Sequence, residues 1–176
     1  LPILSADTSL PATGAVGSLA VNSAVVIDTT PPQVVSVSAD ASFLDGTYGA
    51  GTQVPVTVTF SEPVTVNTAG GVPSITLETG TVDHTANYLS GSPGATLIFR
   101  YTVVAGDASL DLNYNSGTAI TLNGGTISDA AGNTSPFTLP AYNGPDSLGS
   151  NRRPVFLVAV HVSGVPPVSN APSGPK

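Results

Sequence analysis

The sequence predicts an all-β fold of the antiparallel β-sandwich class, and three observations carry that expectation. Several short runs alternate apolar and polar residues with a period of two, the mark of a half-buried strand. Clusters of Gly, Pro, Asn and Asp punctuate these runs at close intervals. Thr, Ser, Gly, Val and Pro make up much of the rest, a mixture that suits strands and turns and is poor for helices. No window presents a convincing helical stripe.

Residues 28–38, DTTPPQVVSVS, open the domain, with Pro31 and Pro32 stiffening the chain ahead of the first strand. In 53–60, QVPVTVTF, Val54, Val56, Val58 and Phe60 alternate with Gln53, Pro55, Thr57 and Thr59, and Pro55 suggests an edge or a bulge. The run 74–79, SITLET, repeats the pattern with Ile75 and Leu77 inward, and 84–90, HTANYLS, is a weaker strand around Tyr88. Residues 96–103, TLIFRYTV, place Leu97, Phe99, Tyr101 and Val103 on one face and Ile98, Arg100 and Thr102 on the other. In 110–114, LDLNY, Leu110, Leu112 and Tyr114 are expected inward and Asp111 and Asn113 outward. The apolar run 155–162, VFLVAVHV, closes the domain. Turn signals separate the runs: DGTYGAG at 45–51, NTAGG at 67–71, SGSPG at 90–94, AGD at 105–107 and NGG at 123–125. Val56, Val58, Phe60, Leu97, Phe99 and Tyr101 should face the core from two neighbouring strands.

The 176 residues suffice for one domain of usual size and some extra. Cys, Met and Trp are absent, which excludes disulfides, a thiol nucleophile and thiolate metal sites. With no initiator Met and no charged-then-apolar leader, the sequence reads as a piece of a longer polypeptide. Charged residues are 9% of the chain, 11 acids against 4 bases, for a net charge of −7. The bases are Arg100, Arg152, Arg153 and Lys176, which argues against binding a phosphate backbone, so no nucleic-acid partner is expected. Low charge with 40% hydrophobic residues is the opposite of a disordered composition. The abundance of hydroxyls and scarcity of lysine fit work outside the cell.

Residues 10–14, LPATG, resemble a sortase sorting signal. That signal sits at a C-terminal end ahead of an apolar span and a basic tail, whereas this one begins at Leu10 and no membrane-length apolar run follows. Membrane insertion is not expected. The stretch is better read as part of an internal repeat. Residues 10–26, LPATGAVGSLAVNSAVV, lie on 139–155, LPAYNGPDSLGSNRRPV, at a constant offset of 129 without a gap. Seven of the seventeen positions are identical: Leu10/Leu139, Pro11/Pro140, Ala12/Ala141, Ser18/Ser147, Leu19/Leu148, Asn22/Asn151 and Val26/Val155. Gly14 faces Asn143, the two residue types that most readily adopt a positive φ. Residues 1–28 are therefore expected to be the closing strand of a preceding repeat plus a linker. The sandwich spans 29–162, and 163–176 is a Pro-rich tail. Segments 18–27 and 147–156 both suit a closing strand. The first, lacking its own sandwich, is a candidate for strand exchange with a neighbouring chain.

DTTPPQVVSVS, TVTFSEPVTV, SITLETG, ATLIFRYTVVAGDASLDLNY, ITLNGGTISDAAGN and the closing LPA…SL resemble the bacterial Ig-like tandem repeats of very large secreted adhesins. The likeness covers about 28–156. It implies an Ig-like sandwich of Greek-key type with about seven to nine strands. It also implies a secreted or cell-surface location, neighbouring Ig-like repeats as partners, and a non-enzymatic role as an extender giving length and stiffness. Many related repeats bind Ca²⁺ at or near domain junctions. The sequence departs from the pattern at its end, where the offset sets Asp28 against Leu157 and Pro31-Pro32 against Val160-His161.

Calcium is the cofactor with a physical case, since it takes six to eight oxygen ligands from carboxylates, carbonyls and Asn side chains. The candidates are Asp28 at the junction, Glu62 in SEPV, and Asp129 and Asn133 in DAAGN. The incoming linker and the turn after the second strand share one pole of an Ig-like sandwich, which would bring Asp28 near Glu62. Whether DAAGN joins them depends on strand parity across 115–128. The alternative is that Asp129 and Asn133 form an Asx-turn and Glu62 is solvated. Asp107 and Asp111 read as a turn cap and an outward strand residue. Neither His84, in a polar stretch, nor His161, in an apolar one, has the spacing of a catalytic triad. With no Trp and five Tyr, platforms for sugar rings are scarce. The competing functions are a carbohydrate- or host-protein-binding module of the same adhesin and an accessory domain of a secreted polysaccharide-active enzyme.

Overall fold

The computed structural model describes residues 10–40, 43, 46–134 and 137–151. The chain divides into two compact units, Leu1–Thr30 and Pro31–Lys176. In the second unit, eight strands follow in order: β1 (Val34–Ala39), β2 (Gln53–Asn67), β3 (Ser74–Glu78), β4 (His84–Ser90), β5 (Gly94–Thr102), β6 (Asn113–Tyr114), β7 (Ile120–Thr121) and β8 (Thr126–Ser128). They form a curled antiparallel sheet in the order β1-β2-β5-β4-β3-β6, with β7 also on β3 and β8 on the far end of β2. Hairpin-linked β3, β4 and β5 lie side by side, and β2 borders β5. This is the Greek-key order the sequence predicts.

The period of two is what makes β2 and β5 a pair. Val54, Val56 and Val58 stand opposite Tyr101, Phe99 and Leu97, and all six are at most 3% exposed. Phe60, the remaining expected core residue, is equally buried and meets Phe137 edge-on with ring centroids 5.4 Å apart. Ile75, Leu77 and Val103 face inward as expected. Pro55 lies within β2 between two neighbours, not at an edge. Its carbonyl accepts the Asp40 N–H just past the end of β1 at Ala39, so its missing N–H falls where that strand has stopped.

β2 runs past the expected 53–60. Its register on β5 breaks between Thr59 and Val64, and beyond the break Thr65, Val66 and Asn67 pair with Ser128, Ile127 and Thr126 of β8. Ser61, Glu62 and Pro63 thus form the corner where one strand passes from one ladder to another. At the end of the second ladder the NTAGG and NGG turns touch backbone to backbone. A Cβ on Gly70 or Gly71 would overlap the carbonyls of Gly124 and Asn123.

Three expectations need correction. Leu110 is 70% exposed, and the strand expected over 110–114 shrinks to Asn113–Tyr114, so strict alternation never reaches Leu110. Asn113 is buried, because its side chain is used locally: Nδ2 donates to Asn143 Oδ1 at 3.0 Å and Oδ1 accepts the Tyr114 N–H at 2.9 Å. The parts of 18–27 and 147–156 that are described do not form closing strands. Each begins with one turn of helix, α1 (Leu19–Asn22) and α2 (Leu148–Asn151). The expected strand at 155–162 and the tail at 163–176 lie outside the described residues.

The internal repeat is in large part a repeat of conformation, with one difference at Gly17, whose φ is 88° where that of Asp146 is not positive. Ala15 N–H donates to Ala12 O at 2.9 Å, as Gly144 N–H does to Ala141 O at 2.7 Å, and Ser18→Ala15 repeats as Ser147→Gly144. Gly14 and Asn143 both take positive φ, 84° and 58°. The segment 139–151 sits in the second unit with Leu139, Ser147 and Leu148 buried. Its carbonyl at Asp146 accepts the Val37 N–H at 2.9 Å, and Asn151 Nδ2 donates to Val37 O at 3.0 Å.

Candidate metal centre

The pairing of β8 with the far half of β2 resolves the parity of 115–128. Because Ser128 stands opposite Thr65, Asp129 emerges beside the Ser61–Pro63 corner. Glu62, half-buried, and Asp129, buried, bring carboxylate oxygens within 4.8 Å of each other. Asp129 is held firmly. Its Oδ1 accepts the Asn133 N–H and its Oδ2 the Asn133 Nδ2–H, both at 2.8 Å. Burial pushes its carboxyl up, but the donors from the Asn133 side chain and the backbone of Asn133, Ala131 and Gly132 outweigh it and leave it below the ordinary 3.8. The Asx-type turn over 129–133 therefore exists, and Asn133 serves it as a donor that orients the carboxylate. Asp28 is exposed, and its Oδ1 accepts the Thr30 N–H at 2.9 Å. It precedes Pro31 by three residues, about 10 Å of extended chain at most. Two carboxylates at such a separation, one of them favoured in its charged form by the donors around it, offer hard oxygens of the kind that cations take.

A family model for the bacterial Ig-like domain matches residues 28–142. The chain belongs to that family. The match begins at Asp28. Ig-like domains of this family occur in surface or secreted bacterial proteins and are generally non-catalytic. No curated protein and no solved structure matches the chain. No helix among the described residues is long and apolar enough to cross a membrane.

A second polar cluster of the Ig-like domain escaped the sequence reading. Asp107 caps its turn as expected, its Oδ2 accepting the Val104 N–H at 2.6 Å. It is also buried, accepts a short hydrogen bond from the Tyr101 hydroxyl, and places Oδ1 2.9 Å from His84 Nδ1. Thr79 Oγ1 approaches the same His84 nitrogen at 3.1 Å. Burial first, then the hydrogen bond and charge of Asp107, push the Tyr101 hydroxyl well above its ordinary range. A triad needs its acid and its nucleophile on opposite ring nitrogens. Here acid and hydroxyl share Nδ1, so the cluster is a structural tie among β3, β4, β5 and the loop after β5. The sequence offered the strands alone; their pairing, β4 with β3 and β5, is what carries His84 and Tyr101 to one end.

Proposed function

We propose that the protein is a non-catalytic structural extender of a bacterial cell-surface or secreted adhesin, a module that supplies length and is stiffened by Ca²⁺ at its junction. The observation that carries this reading is the repetition of one turn-and-helix segment at 10–22 and 139–151, in sequence and in backbone. A closing segment that recurs one domain length away is what a string of like modules contains. In the calcium part of the reading, Asp28, Glu62 and Asp129 supply the carboxylates and Asn133 orients Asp129. Because Asp28 lies on the linker, an ion held there would fix the direction in which the domain leaves its predecessor.

Thermal melting of the chain tests the calcium reading. A ligand bound to the native state stabilises it by about 2.7 kcal/mol when its free concentration is a hundredfold above Kd. The melting temperature rises with Ca²⁺ and falls with chelator, and Asp28→Ala or Glu62→Ala blunts the response. Identical melts in chelator and millimolar Ca²⁺ would sink it. A glycan array tests the extender role, which requires silence there.

A further inference from the structure

We infer that residues 10–22 are a preformed clasp whose partner is the first-strand face of a second Ig-like domain of this same kind. The inference rests on the tandem reading above and names its contact. Its test involves neither calcium nor glycans, so the two can fail separately.

The chain displays the docked form of such a clasp. Residues 139–151 bridge β1 and β6: the Leu139 N–H donates to Gly117 O at 2.8 Å, and the Tyr114 hydroxyl to Pro140 O at 2.6 Å. Asp146 O and the Asn151 side chain take both polar groups of Val37. Leu139 and Leu148 are the anchors, 3% and 0% exposed. Residues 10–22 hold the same turn hydrogen bonds, a positive φ at the matching position Gly14 and the same helical turn, and differ at Gly17, whose φ of 88° has no counterpart at Asp146, yet their anchors Leu10 and Leu19 are 91% and 69% exposed. Leu10, Pro11, Leu19 and Val25 line an open apolar groove of about 660 Å³. A segment already close to its bound conformation loses less entropy on docking, and its leucines remain in water until a β1-type face covers them.

Two differences between the copies specify the partner further. Gly149 packs so closely that a Cβ there would lie 2.9 Å from Asn113 Nδ2, which in turn bonds Asn143. The N-terminal clasp has Ala20 in place of Gly149 and Gly14 in place of Asn143. It adds the methyl that Asn113 obstructs and removes the acceptor that holds Asn113. Its preferred partner therefore carries a smaller residue at the position of Asn113.

The full chain supplies the test. Leu148→Ala weakens the resident clasp and opens the β1 face to the N-terminal clasp of another copy. The variant should sediment as concentration-dependent oligomers, and Leu148→Ala with Leu19→Ala should return to monomer. A folded, monomeric Leu148→Ala chain, or equal oligomers with and without Leu19, overturns the inference. If Leu148→Ala does not fold, the wild-type and Asn113→Ser chains are titrated with a synthetic peptide of residues 10–27 and followed by amide NMR. The Val37 and Tyr114 amides should shift, about tenfold more tightly in Asn113→Ser and not with a Leu19→Ala peptide. Unmoved Val37 and Tyr114 amides in both chains overturn it.

Discussion

Asn133 spends its backbone and side-chain N–H groups on one carboxylate, and the consequence is a pH dependence with a definite sign. Asp129 is depressed below 3.8 in the folded chain, so its contribution is present above that value and is lost as pH falls through the folded pKa. Asn133→Ala should move the loss to higher pH, and Asp129→Asn should remove it; acid-limb melting series read both. Tyr114 behaves in the opposite sense. Burial pushes its hydroxyl from 10.0 to about 12, so stability is intact below pH 10.0 and falls as pH rises through the folded value. Tyr114→Phe should cost roughly 0.5–1.5 kcal/mol at neutral pH through its lost bond to Pro140. It should also flatten the alkaline limb of a urea titration series.

β2 and β5 hold the domain together, and their alternation assigns different costs to neighbouring positions. Phe99→Ala should cost about 3–5 kcal/mol. Thr57→Ala should cost about 1 kcal/mol, because its hydroxyl donates to Ser38 O at 3.0 Å while the residue stays half-exposed. Comparable losses at the two positions in urea would contradict the register. These long strands were legible because alternation is a local signal sustained over many residues. The short strands β7 and β8 were not, and β6 only as the end of a longer expected run, since their positions depend on partners remote in sequence. Asn113 misled for a related reason. Its polarity suggests solvent, but a buried donor and acceptor satisfy it. The identity between 10–22 and 139–151 revealed equivalence without revealing shape, because one turn of helix is too short to show a stripe. Glu62 and Asp129 were legible as oxygen donors in turns, while their meeting required the crossing of β2 between ladders.

At the scale of the molecule, Asp28 belongs to the unit Leu1–Thr30, and Glu62 and Asp129 belong to Pro31–Lys176. Removing residues 1–30 takes Asp28 away, so scanning calorimetry should show the calcium-induced rise in melting temperature largely abolished and the calcium-free midpoint little changed. A full calcium response in the shortened chain would exclude Asp28 as a ligand. The contact of Gly70 and Gly71 with the backbone of Asn123 and Gly124 bears on how such a domain tolerates sequence drift. Under the proposed calcium reading, exchange of Asp28 or Glu62 should remove the calcium response and leave the sandwich standing. A side chain at Gly70 or Gly71 should push the two turns apart at one end of the β2–β8 ladder, whose other end sets Asp129 beside the Ser61–Pro63 corner. The spacing of two acids far apart in the chain is thereby tied to glycines that touch neither of them.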